Sequence, residues 1–210
     1  MADDLGLETV TAIVRGTERP PRRLSKTAAW IEKRYGVPVI AVLEQRLRDL
    51  RRIVVWVRTV EQAERFRERG LMQERMQNEI AEFIVENERR RIFSGRRKLF
   101  VLVTSFDAGI LDTVTSSLGV NGHRAIEALI DDAALAEVVV FFQSIIFFVH
   151  TDAQKQSLLE RSKGWQRIAL DYLARDDEFG VVRAEAFSFT LDSKETLERD
   201  FAGNMYYYLK

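Results

Sequence analysis

Arg52-Ile-Val-Val-Trp-Val-Arg58, followed at once by Thr59-Val-Glu-Gln62, decides how this chain is read. An uninterrupted apolar run rich in β-branched residues fits a strand in the interior of a sheet, where both faces are covered. The Thr-x-x-Gln that follows is a capping-box pattern. Its threonine accepts from the backbone N–H three residues on, and its glutamine reaches back to the cap, so two donors at a helix start are satisfied. A strand running straight into a capped helix points to crossover units. The expected fold class is α/β or α+β, with a mixed sheet and several flanking helices.

Downstream, residues 60–93 read as a long helical region with a break at Gly70. Met72, Met76, Ile80, Phe83 and Ile84 form an apolar stripe in it, with Arg and Glu on the other faces. Such a stripe docks on the chain's own sheet or forms the interface of a homodimer. Ser94-Gly95 ends the element, and Leu99-Phe-Val-Leu-Val-Thr104 is the clearest buried strand. Residues 106–122 read as a loop with a helical piece near 110–118, and 124–130 as a short helix. Residues 137–150 are strand-forming, either as one long strand or as two joined near Gln143-Ser144. Thr151 and Gln154 repeat the capping box and open a helix through Leu173. Val181 to Leu191 alternates as a strand, Asp192 with Glu195 opens a short helix, and 205–209 reads as a last strand.

Upstream, the β-branched residues of 8–15 predict a strand, bounded by Gly16 and Pro20-Pro21. Ser25 opens an amphipathic helix that Gly36 stops. Residues 39–50 fit two periods; Ile40, Leu43, Leu47 and Leu50 favour a helix, with Pro38 tolerated in its first turn. No Gly/Ser-rich linker divides the chain. One domain over 1–210 is expected, with 94–98 as the place for an internal subdivision.

The chain of 210 residues is 46% hydrophobic and 30% charged, enough apolar surface for a core and against global disorder. It has no cysteine, which excludes disulfides, thiolate metal sites and cysteine nucleophiles. No secretory signal pattern and no run of about 20 apolar residues is present, so a cytoplasmic location without membrane insertion is expected. The zero net charge hides a division. Residues 1–98 hold 22 Lys or Arg against 15 Asp or Glu, and residues 99–210 hold 10 against 17.

That asymmetry carries the leading functional reading: an intracellular interaction or regulatory protein whose basic half recruits an acidic protein or nucleic acid. The partner-binding candidates are Arg46, Arg48, Arg51, Arg52, Arg89, Arg90 and Arg91, because a planar guanidinium suits both phosphate and carboxylate. A second reading places a helix-turn-helix across Gly36-Val37-Pro38, its second helix bearing Arg46, Arg48, Arg51 and Arg52. A third places Asp107 and Asp112, after the 99–104 strand, with Glu137 as ligands for magnesium acting on a phosphate substrate, and His123 as a proton-transfer group. Magnesium enters only under that third reading, and no other cofactor is inferred. Phosphate-loop, dinucleotide, serine-hydrolase and zinc signatures are missing.

Overall fold

The computed structural model of the protein describes residues 6–47, 50–89 and 98–209. It has a mixed α/β fold in which helices flank β-sheets, as the strand and capped-helix alternation predicts. The chain divides into two compact units, Met1–Gly109 and Ile110–Lys210. The division falls inside a helix, whereas residues 94–97 of the expected subdivision lie outside the described residues. Charge follows it closely: the first unit holds 22 basic against 16 acidic residues, the second 10 against 16. Among the described residues no helix is long and apolar enough to cross a membrane.

The first unit opens on helix α1 (Leu7–Val14), where a strand is expected over 8–15. Gly6 in the left-handed region precedes it, and Leu7 and Val10, one turn apart, are buried. That three-residue spacing outweighs the β-branched composition. Helix α2 (Ser25–Tyr35) ends at Gly36, also left-handed, as its sequence predicts.

Strand β1 (Val39–Leu47) replaces the helix expected over 39–50. It pairs antiparallel with β2 (Leu50–Val57), from Val39 opposite Val57 to Leu47 opposite Leu50. The adjacent Val42 and Leu43 are both buried, and a strand with two covered faces achieves this where a one-sided helical stripe does not. The helix-turn-helix reading falls with this correction, because its recognition helix is a strand.

After β2 the Thr59 capping box opens α3 (Val60–Glu64). Around Arg69 and Gly70, both at positive φ, the chain folds into a small hairpin, β3 (Arg67–Glu68) with β4 (Leu71–Met72). The break expected at Gly70 is thus a full reversal, and α4 (Glu74–Arg89) starts beyond it. β5 (Lys98–Ser105) lies parallel to β2, giving the sheet order β1-β2-β5. Ile53, Val55 and Val57 of β2 join Ile31, Phe66, Ile80, Ile84 and Val101 in one core.

The stripe offered as a dimer interface is part of that core. Ile80 and Ile84 are fully buried, Met72 and Met76 pack against the same cluster, and Phe83 stacks on Trp30 with ring centroids 4.6 Å apart. Ile80 and Ile84 have no surface to offer a second copy, because the sheet of their own unit already covers them.

Helix α5 (Phe106–Ser117) contains the division between the units and is followed by α6 (Gly119–Ile130), so residues expected to be mainly loop are helical. β6 (Leu135–Phe141) and β7 (Ser144–Val149) form an antiparallel hairpin, so of the two alternatives for this stretch the pair joined near Gln143-Ser144 is the one adopted. The second capping box opens α7 (Asp152–Ser157), with α8 (Ser162–Leu173) as a separate helix. β8 (Ser188–Ser193) is shorter than the alternating stretch predicts, and lies parallel to β7 in the order β6-β7-β8. Ser193, rather than Asp192, caps α9 (Lys194–Phe201). Met205–Tyr208 is a helix, α10, rather than a strand, because the Asn204 side chain accepts from the N–H groups of Tyr206 and Tyr207. Phe147, Trp165, Ala169 and Leu173 fill one side of this sheet, and Ile146, Phe148 and Leu197 the other.

Candidate anion-binding site

Along β2 the core-facing side runs Val57, Val55, Ile53 and then reaches Arg51, which sits directly opposite Arg46 of β1. Side chains two apart on a strand share a face, so Glu44, Arg46 and Arg51 project from the same side of the hairpin. Glu44 Oε1 accepts a hydrogen bond from Arg51 Nε at 3.0 Å and lies 3.6 Å from Arg46 Nε. Arg23, from the 3₁₀ turn before α2, brings its Nη1 to 3.1 Å from Glu44 Oε2. One carboxylate therefore gathers three guanidiniums.

Burial makes the arrangement asymmetric. The Glu44 and Arg51 side chains are only 11% and 12% exposed, whereas Arg23 and Arg46 are 54% and 67% exposed. The inner pair fixes the geometry, and the outer two turn positive charge toward solvent. Gly6, Thr9, Pro21, Arg23, Glu44 and Arg46 line a pocket of about 480 Å³ there. Arg52 points to the other face, where its Nε donates to Gln45 Oε1 at 2.7 Å.

Of the arginines expected to bind a partner, Arg46 and Arg51 are thus brought together and Arg52 stands on the reverse side. Arg48, Arg90 and Arg91 lie outside the described residues, and Arg89 ends α4 with nothing described of its side chain. Sequence reasoning missed Arg23 as a member and Glu44 as the organiser. Under a helical reading Glu44 faces Arg48 at i,i+4; in a strand its neighbours are i+2 and across the ladder.

The proposed magnesium ligands have neighbours of another kind. Asp107, in the first turn of α5, pairs with Arg58 at 3.4 Å, and its N–H donates to the Arg58 carbonyl at 3.1 Å. Asp112 lies half-buried on α5, and His123 half-buried on α6. Glu137 on β6 pairs with Lys194, whose ammonium also stands 4.8 Å from the Phe148 ring centroid. Among the described residues no group of three or more His, Cys, Asp or Glu side chains gathers to hold a metal ion.

A second polar cluster lies at the carboxyl ends of β7 and β8. Asp152 accepts from the hydroxyls of Ser193 and Thr196 and from Arg199 Nη1. The Arg199 bond, followed by the two hydroxyls, holds the Asp152 carboxyl well below the usual carboxylate range. Beside it, Asp192 accepts from Lys155 at 2.8 Å and from the Tyr208 hydroxyl at 2.7 Å. These bonds tie α7, β8, α9 and α10 together and give the cluster a structural role.

No family model, no curated protein and no solved structure matches this chain.

Proposed function

We propose that the protein is an interaction or regulatory protein whose first unit takes an acidic partner, protein or nucleic acid, at the arginine end of the β1–β2 hairpin. The observation that carries this reading is the convergence at Glu44, where three guanidiniums meet and two of them, Arg23 and Arg46, line a pocket. Like charges directly opposite on a ladder repel. Arg46 facing Arg51 is tolerable because the Glu44 carboxylate bridges them, and the exposed guanidiniums of Arg23 and Arg46 offer donors to an anionic partner. Guanidinium groups held by such a network lose little freedom on binding. The excess of basic residues in the first unit supports the same reading through long-range attraction.

The test is binding of fluorescent duplex DNA and of polyglutamate to the full chain at several salt concentrations. Binding that weakens with salt and is reduced at least several-fold in Arg23→Gln/Arg46→Gln supports the proposal. Binding indifferent to both salt and those substitutions rejects it. The stronger ligand of the two identifies the partner class.

A further inference from the structure

We infer that each unit is built on a copy of one αββαβ module, joined in tandem, and that Arg46 and Arg51 of the arginine site lie on a hairpin extension which only the first copy carries. The second clause rests on the function proposed above, whereas the first stands on backbone relationships alone.

The correspondence begins at the helix before each hairpin. Glu32 of α2 and Glu127 of α6 each accept, through the backbone carbonyl, the N–H of a left-handed helix-ending residue, Gly36 at 2.9 Å and Asp131 at 3.0 Å. Each then uses its carboxylate to accept an N–H of the following edge strand, Val39 at 2.9 Å and Val138 at 2.8 Å. The same residue type takes the helix-ending N–H in both copies, and its carboxylate reaches the following edge strand, before the bulge at Val39 in the first copy and past it at Val138 in the second.

Both hairpins then share an irregularity. In β1 the register shifts between Val39, opposite Val57, and Ala41, opposite Trp56. In β6 it shifts between Leu135, opposite Val149, and Glu137, opposite Phe148. A bulge one residue from the open end of two unrelated hairpins would be a coincidence; a bulge inherited with the module is expected.

Val57 and Val149 are each followed by one residue and a capping box. Gln62 Oε1 accepts from the N–H groups of Arg58 at 2.8 Å and Thr59 at 3.2 Å. Gln154 Oε1 does the same for His150 and Thr151, both at 3.0 Å. In the third strand, parallel to the second in each sheet, Ser105 lies beside Val57 and Ser193 beside Val149. Each serine hydroxyl accepts the N–H three residues on, Ala108 at 3.2 Å and Thr196 at 2.8 Å, to open the next helix. Glu, Val, Thr, Gln and Ser are therefore shared at matched positions, while the apolar residues between them differ. This is why the sequence shows no repeat beyond Thr-x-x-Gln.

Matched from the bulge outward, Gln45 opposite Arg52 corresponds to Phe141 opposite Ser144. Beyond that rung the first copy continues through residues 46–51, while the second turns at Phe142 and Gln143. Arg46 and Arg51 form the first of two added rungs, the second being Leu47 with Leu50, and Glu44 falls where the second copy has Val140. The chain should hold one anion site, not two.

A crystal structure of the full chain, with its units superposed on backbone atoms without reference to sequence, tests the duplication. It should place Glu32 on Glu127, Val57 on Val149, Gln62 on Gln154 and Ser105 on Ser193, with the crossovers from β2 to β5 and from β7 to β8 on matching faces. A best fit that slides this register, or crossovers on opposite faces, overturns the inference. Titration of the same chain with inorganic polyphosphate should give one binding equivalent that Arg46→Gln/Arg51→Gln removes. A second equivalent that survives those changes overturns the single-site clause. Absence of binding with the superposition in register sinks the anion reading and leaves the duplication standing.

Discussion

Arg46 and Arg51 stand directly opposite one another across the β1–β2 ladder, and Glu44 approaches both, at 3.6 and 3.0 Å. Two facing guanidiniums at the end of a hairpin oppose the pairing that brings them together. The carboxylate is what makes the rung stable, so its removal reports directly on the site.

Glu44→Gln keeps the shape and removes the charge. It should lower unfolding stability by about 2 kcal/mol, the order of a charge-assisted bond left unmade. Added phosphate should restore part of the loss by occupying the same guanidiniums. Urea midpoints with and without phosphate check both parts. Equal midpoints for the two proteins would show that Glu44 organises nothing.

Ile80 separates the two uses of the α4 stripe. It is fully buried within its own unit, so Ile80→Ala should cost about 2–5 kcal/mol in unfolding stability, the usual range for emptying a core site. Its sedimentation mass should match that of the parent. A variant that keeps its stability but changes its mass would return the stripe to an interface.

Asp152 gives a pH dependence of defined sign. Its carboxyl is held below the ordinary value of 3.8, first by Arg199 and then by the Ser193 and Thr196 hydroxyls. A depressed folded-state pKa means the ion contributes stability above the unfolded value and loses it as pH falls through the folded one. Asp152→Asn should therefore be less stable than the parent at neutral pH, with the gap narrowing as the solution is acidified below 3.8. Denaturant midpoints across that range decide; a gap independent of pH would show that the ionised form is not what α9 holds.

Tyr35 behaves in the opposite sense. Burial and the 3.0 Å bond to Glu79 push its hydroxyl up to about 12. The neutral phenol thus stabilises the fold below its ordinary value of 10.0, and that contribution is lost as pH rises through about 12. Tyr35→Phe keeps the ring against Trp30 and Phe66 and should flatten this alkaline loss of stability. An unchanged alkaline profile in the variant would remove the Tyr35 hydroxyl as its source.

These residues also show what the sequence disclosed. Thr59 with Gln62, Thr151 with Gln154, and the apolar runs of β2, β5 and β7 are local signals, complete within a few residues, and the structure keeps them. Val39 to Leu47 was ambiguous because its apolar positions satisfy two periods, and only the partner strand, with Val42 against Val55, selects one. The three-tyrosine run offered a strand by propensity, but the deciding group is Asn204, one residue outside it. The anion site was half visible. Its arginines stood out by composition, while the roles of Arg23 and Glu44 depend on a turn, a strand and a ladder meeting in space.

The two capping boxes provide the last prediction, because they are matched pieces of chemistry at matched places. In each, threonine accepts from the third residue's N–H while the glutamine side chain accepts from the cap and from the residue before it. The glutamine thus bonds the N–H just beyond the end of β2 or β7, joining strand end to helix start. Gln62→Ala and Gln154→Ala should each cost about 1 kcal/mol, the typical value of a lost cap. Hydrogen exchange should accelerate at Arg58 and Thr59 in the first variant and at His150 and Thr151 in the second. Conservative Glu replacements should recover much of each loss, since the carboxylate keeps the acceptor and favours a helix N-terminus. If one alanine variant exchanges faster at its strand end and the other does not, the boxes are alike in sequence but not in what they hold.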